Sequence, residues 1–272
     1  MRYVLLAAGS LAALAGLWAI AHHFVLSMHY ADSDFFTFWL GGRFVVSGLD
    51  PYDPALWTTA HGQYGAVWIS DPAYTYPLPL AILMSPLGAI SLLDAYRLWI
   101  SLSVLMILAA CWLVSGRPTQ RADLAFALPW LAGVLLFRPV IVTLRNGQLG
   151  GLLLLVLILG CSLAADDKDR AAGIVLGLLS LKPALGLPLL GLIVLWMLSR
   201  RRWRLVGGTI GSMTALFLLG WLYDPQWVSR LAGSGSPKLF SFVGHFPTAW
   251  GLGTALCAGR GTCAWWAGAG LS

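Results

Sequence analysis

The chain has 272 residues, a net charge of +6 and a mean hydropathy of +0.78, with 58% hydrophobic and only 10% charged side chains. Soluble domains carry about 25% charge, so this composition excludes an ordinary soluble globular protein and predicts an all-α, multi-pass membrane bundle. The basic excess sits in short clusters at span ends, Arg200-Arg201-Arg202-Trp203-Arg204 foremost; that is the positive-inside pattern of a membrane protein and excludes nucleic acid as the partner.

Residues 3–26 are apolar throughout. They exceed the roughly 7–15-residue core of a signal peptide, so they read as a retained first span reaching about residue 28; cleavage at Ala19-Ile20-Ala21 is the competing reading. A polar-aromatic segment follows from His29 to about Asp71, with five aspartates and one arginine. It forms an exterior loop of about 29–73, and loops of this length carry function or short helices of their own. Phe35–Val46 is predicted to be an amphipathic interfacial helix, and Gly48-Leu49-Asp50-Pro51-Tyr52-Asp53-Pro54 reads as turns.

The apolar run opened by Tyr74-Thr75-Tyr76-Pro77-Leu78-Pro79 ends near Ser91. It is too short and Pro-rich to cross a bilayer and is predicted to be re-entrant or interfacial. Leu92–Val114 is a span, Arg117 and Arg121 form a basic turn, and Leu124–Thr143 spans again to Arg145-Asn146-Gly147-Gln148. Leu149–Ala165 returns to Asp166-Asp167-Lys168-Asp169-Arg170.

About 29 mostly apolar residues separate this cluster from the arginines at 200–204. Both clusters suit the cytoplasmic side. Two short helices meeting at Lys182-Pro183 keep them on one side; one long kinked helix separates them. The hairpin is the preferred reading, because Pro183 interrupts helical hydrogen bonding. Leu205–Leu222 is a further span leading outward. Tyr223–Pro247 is a second polar segment with Lys238 and His245, and the Gly-rich tail from Thr248 gives no clean ending. Cys111 and Cys161 are packing residues within spans; Cys257 and Cys263 bridge only if that end meets an oxidising compartment. No cysteine–histidine spacing makes a zinc site, and no Walker or dinucleotide fingerprint is present.

This topology brings the acidic loop, Arg145 to Gln148, Lys182 and the 223–247 segment to one face. A transferase there needs a lipid-delivered activated group. A polyprenyl-phosphate sugar suits: cations hold its phosphate as charge develops on the leaving group, and a carboxylate deprotonates the acceptor hydroxyl. Asp34, with Asp32 as understudy, is the candidate base. Lys182, Arg145 and Arg43 are candidate phosphate ligands. Gln148, Tyr76 and His245 are candidate sugar or acceptor contacts. Each has a structural alternative. Asp32 and Asp34 can simply cap a helix, Arg145 can anchor a helix end, Lys182 can snorkel and Arg43 can pair with Asp50 or Asp53. Gln148 can satisfy a backbone group, and His245 can be an ordinary loop histidine. A transporter or flippase and a non-catalytic remnant are the rival functions.

The stretch Asp34-Phe35-Phe36-Thr37-Phe38-Trp39-Leu40-Gly41-Gly42-Arg43, followed by Ser47-Gly48-Leu49-Asp50-Pro51-Tyr52-Asp53, resembles the first-loop pattern of glycosyltransferase family 87. Tyr76-Pro77-Leu78-Pro79-Leu80, then Asn146-Gly147-Gln148, then Ala172-Gly173 through Gly177 and Leu181-Lys182-Pro183 match in order, so the resemblance covers roughly residues 30 to 210. It implies a GT-C-like helical bundle in the cell (inner) membrane and a polyprenyl-phosphate-mannose donor. It also implies a lipid or glycan acceptor, and inverting transfer with the first-loop aspartate, here Asp34, as base. No metal and no cofactor are implied. Family members are longer beyond the 223–247 segment, so the resemblance implies a single transmembrane domain over 1–272 whose C-terminal part is incomplete relative to the family.

Overall fold

The computed structural model describes residues 30–66, 73–115, 133–134 and 136–234. The predicted first span, Arg117, Arg121, the start of the 124–143 span, Lys238, His245, Cys257 and Cys263 lie outside the described residues. The regular structure described is all helical: α1 Asp34–Val46, α2 Pro54–Gln63, α3 Leu78–Gly88, α4 Leu92–Ser115, α5 Arg138–Arg145, α6 Gly150–Ala165, α7 Asp169–Gly177, α8 Pro183–Ser199, α9 Trp203–Tyr223 and α10 Trp227–Ser234. Among the described residues, α4 over Leu92–Val114 and α9 are each long and apolar enough to cross a membrane. Helices α5 and α6 meet at a 119° bend, and α3 and α8 are shorter apolar helices. The chain is an all-α membrane helical protein.

Helix α1 exists where the sequence predicts it but differs in character. Phe35, Phe36, Phe38, Trp39 and Leu40 are all buried, so in its first half only Asp34 is exposed and Thr37 half-buried. Ser33 caps it by accepting the Phe36 N–H at 3.3 Å. At its other end Gly42 lies against the Met84 and Ser85 backbone, and Gly88 of α3 lies against the Arg43 backbone. Backbones touching this closely let α3 cover that side of α1, and exposure is left to Asp34 at its start and Val46 at its end. The helix is a packed core element instead of a surface-lying one.

Around α1 stands an aromatic shell. Tyr96 and Trp99 of α4 flank Phe35 at centroid distances of 5.6 and 6.0 Å. Phe44 meets Trp57 of α2 at 5.8 Å. The predicted turns at 48–54 hold, with Gly48 at φ +67° and Asp53 capping α2 through bonds from the Ala55 and Leu56 N–H groups. Burial, reinforced by the Asp50 and Asp224 carboxylates, pushes the Tyr52 hydroxyl well above its ordinary range. Tyr52 therefore stays protonated and donates to the Tyr76 carbonyl at 2.8 Å.

The 169–199 region is a hairpin. Lys182 precedes a proline and leaves helical geometry at φ −120°, ψ 82°; a residue before proline disfavours the α region. The 3₁₀ turn Leu178–Leu181 links α7 to α8, and Gly186 lies against the Leu179 backbone so that the chain can fold back. Both limbs end together: Arg202, just after α8, donates to the Ala164 carbonyl at 2.6 Å, contacts Asp167 at 3.2 Å and pairs with Asp169. Two short helices, with both charged clusters at one end, match the preferred reading. The Arg202 and Asp169 side chains are only 20% and 18% exposed. Arg202→Met is therefore expected to destabilise the protein by on the order of 2 kcal/mol, the scale of a lost charged hydrogen bond. It should show as a lower thermal midpoint in detergent. Asp166→Asn, which breaks only the exposed pair with Lys168, is expected to leave that midpoint unchanged.

Candidate functional site

The α5–α6 turn is built to meet the start of α1. Gly147 has φ +61°, and a Cβ there would lie 2.5 Å from the Phe35 Cβ, so only glycine lets the turn close on α1. The Phe35 N–H donates to the Asn146 carbonyl at 3.0 Å. From α4, the Trp99 indole donates to the Gly147 carbonyl at 2.8 Å and the Tyr96 hydroxyl to the Arg145 carbonyl at 2.7 Å. These bonds bring two candidate residues together: the Gln148 amide donates to Asp34 Oδ2 at 2.6 Å.

Asp34 is the first residue of α1 and is exposed. Its carboxylate is not the helix cap; Ser33 has that role. Asp32 is exposed and ends the preceding 3₁₀ turn Tyr30–Asp32. The Gln148 side chain holds a carboxylate and not the backbone group considered from sequence. Arg145 is exposed at the last position of α5, three residues before Gln148. Phe38 follows Asp34 by four residues, hence on the same helix face. It packs edge-on against Tyr76 at 4.9 Å, which sets that ring about one helical turn along α1 from the carboxylate.

Arg43 lies apart from this group. It is nine residues along α1 and donates to the Gly88 carbonyl at 3.1 Å. Asp50 and Asp53 are not its partners: Asp50 pairs with Arg230, and Asp53 caps α2. The geometry thus gives Arg43 a structural tie between α1 and α3. His245 is outside the described residues.

Lys182 is half-buried at the hairpin apex. Gly160 of α6 faces Leu176 of α7, which sets the register of the two. Counting helical rise from that level, Lys182 comes within on the order of one to two turns of the height of Gln148. Lys182 makes no direct contact with Asp34 or Gln148. The opposite end of α6 carries an open depression of about 490 Å³ lined by Asp167, Lys168, Asp169, Arg170, Ala171 and Arg204. It is separated from Asp34 by the length of α6.

Sequence reasoning treats Tyr96 and Trp99 only as parts of a span. Yet they orient the turn that carries Gln148. Their signal is a pair of aromatics with polar handles in the opening turns of an apolar helix, groups that seek an acceptor when buried.

The family model for glycosyltransferase family 87 matches residues 74–271. The chain belongs to glycosyltransferase family 87. It is accordingly a membrane glycosyltransferase, with a sugar donor and an acceptor as substrates. No curated protein and no solved structure matches the chain. Within the family 87 match lie Arg145, Gln148 and Lys182, whereas Asp34 precedes it. The hydrogen bond from Gln148 attaches Asp34 to the matched part of the molecule.

Proposed function

We infer that this family 87 member transfers a sugar, mannose by resemblance, from a polyprenyl-phosphate donor to a lipid or glycan hydroxyl with inversion. The observation that carries the reading is the exposed Asp34 carboxylate held by Gln148 beside Arg145 at one end of a membrane bundle. Asp34 takes the acceptor proton as the acceptor oxygen bonds to the sugar C1. The C1–phosphate oxygen bond breaks, and its electron pair leaves on the polyprenyl phosphate. Arg145 and Lys182 neutralise that phosphate. Tyr76, beside Phe38, offers a face for the sugar or the acceptor. His245 stays assigned to the acceptor side on sequence grounds alone.

The fold assigned is GT-C-like, crossing the cell (inner) membrane several times as one domain. Sidedness follows from charge. The end away from Asp34 gathers Lys168, Arg170, Arg200, Arg201, Arg202 and Arg204, a Lys/Arg enrichment that supports an inside position for that end and an exterior one for Asp34.

Membranes containing the protein, given radiolabelled polyprenyl-phosphate mannose, are expected to form a labelled lipid or glycan absent from membranes without it. Absence of any labelled product overturns the donor assignment. Lys182→Ala is expected to raise the KM for the donor about tenfold or more, the scale of one lost charge-assisted contact, with the acceptor KM little changed. Unchanged donor kinetics remove Lys182 from the phosphate site.

A further inference from the structure

We propose that Gln148 is the positioning residue of Asp34: its side-chain amide occupies Oδ2 and turns Oδ1 toward the acceptor hydroxyl. This rests on the reading of Asp34 as the base and replaces the sugar-contact role expected for Gln148.

Main-chain bonds fix the two side chains from both sides. Phe35, next to Asp34, is fully buried between Tyr96 and Trp99, and its N–H is bonded to Asn146. Gly147, next to Gln148, is buried, with its carbonyl bonded to the Trp99 indole. The Gln148 N–H closes the turn on the Thr143 carbonyl at 2.9 Å. Neither backbone can shift without breaking these contacts, so the span between Asp34 and Gln148 is set before substrate arrives. Glutamine has the length and the N–H donor to bridge it at 2.6 Å. Asparagine is one methylene short. Glutamate has the length but replaces the donor with a second carboxylate. A carboxylate at an exposed helix start otherwise rotates freely, and a general base must be aimed at the proton it removes.

Other charged groups toward this end are Asp32 before α1, Arg145 at the end of α5, the exposed Asp94–Arg97 pair on α4 and Lys182 at the α7–α8 apex. All of them stay the same across variants of Gln148, which isolates its effect. The test uses the full chain in membranes, with kcat, KM and the pH–rate profile measured for wild type, Gln148→Ala, Gln148→Asn and Gln148→Glu.

Loss of aim is expected to lower kcat on the order of 10²-fold in Gln148→Ala and Gln148→Asn, with KM for donor and acceptor near wild type. In Gln148→Glu two carboxylates share one site, which favours protonation of one of them, so the acid limb of the profile is expected to move to higher pH. A raised KM with kcat retained, or an unmoved acid limb in Gln148→Glu, overturns the proposal and restores the sugar-contact role. If a variant fails to accumulate, the remaining two still separate the outcomes, since Ala and Asn report on kcat and Glu on the pH limb. Failure of the underlying reading looks different: wild type is then inactive, or active without Asp34.

Discussion

Replacing Asp34 with asparagine is expected to lower transfer by 10²–10⁴-fold, the range that general-base catalysis supplies, while leaving the fold intact. The substitution keeps the size of the side chain and an oxygen for the Gln148 amide. What it removes is the ability to take the acceptor proton. Ser33, which caps α1, and Phe35, which anchors it, are untouched. Stability should therefore follow wild type, as a detergent thermal midpoint will show. Asp32→Asn is expected to retain most activity, because Asp32 ends the preceding turn whereas Gln148 holds Asp34. A fully active Asp34→Asn enzyme would end the assignment of the base, and loss of activity in Asp32→Asn alone would transfer it.

The largest structural effect is expected at the crossing of α7 and α9. A Cβ on Gly173 would lie 2.8 Å from the Thr209 nitrogen and 3.0 Å from the Gly208 Cα, and closer still to the Leu205 carbonyl. Gly177 meets Ser212 in the same way one turn later. Small residues four apart on each helix let two backbones touch, a packing that membrane helices use where burial from water gives no drive. Gly173→Val forces the helices apart. It is expected to cost about 3 kcal/mol or more, the upper range for overpacking, because the obstructing atoms are backbone. Reduced yield and a markedly lower thermal midpoint would report it. Gly207→Ala and Gly211→Ala, on the same α9 but with open space around them, should match wild type. Equal stability for Gly173→Val and Gly207→Ala would mean that the crossing is not as tight as described.

Much of this molecule is legible in its order of residues because hydropathy is a local property. The runs at 92–114 and 205–222 announce spans without reference to anything else. The Pro183 break and the two basic clusters announce a hairpin, since proline and charge act where they stand. Asp34 stands out as a possible base for the same reason, an acid beside a long apolar run.

What a linear reading misses depends on partners. It makes α1 an interfacial helix, because nothing local reveals that Gly42 and Gly88 let α3 cover it. It pairs Arg43 with nearby Asp50 or Asp53, whereas Asp50 meets Arg230, 180 residues away, and Arg43 meets a carbonyl of α3. Sequence by itself determined a helical membrane protein of this family, its hairpin and its short list of acids and bases. Only the tertiary structure decided that Gln148 grips Asp34 across 114 positions. That contact needs a glycine turn, a buried phenylalanine and two aromatic donors on a third helix, and no periodicity within one segment encodes a meeting of three.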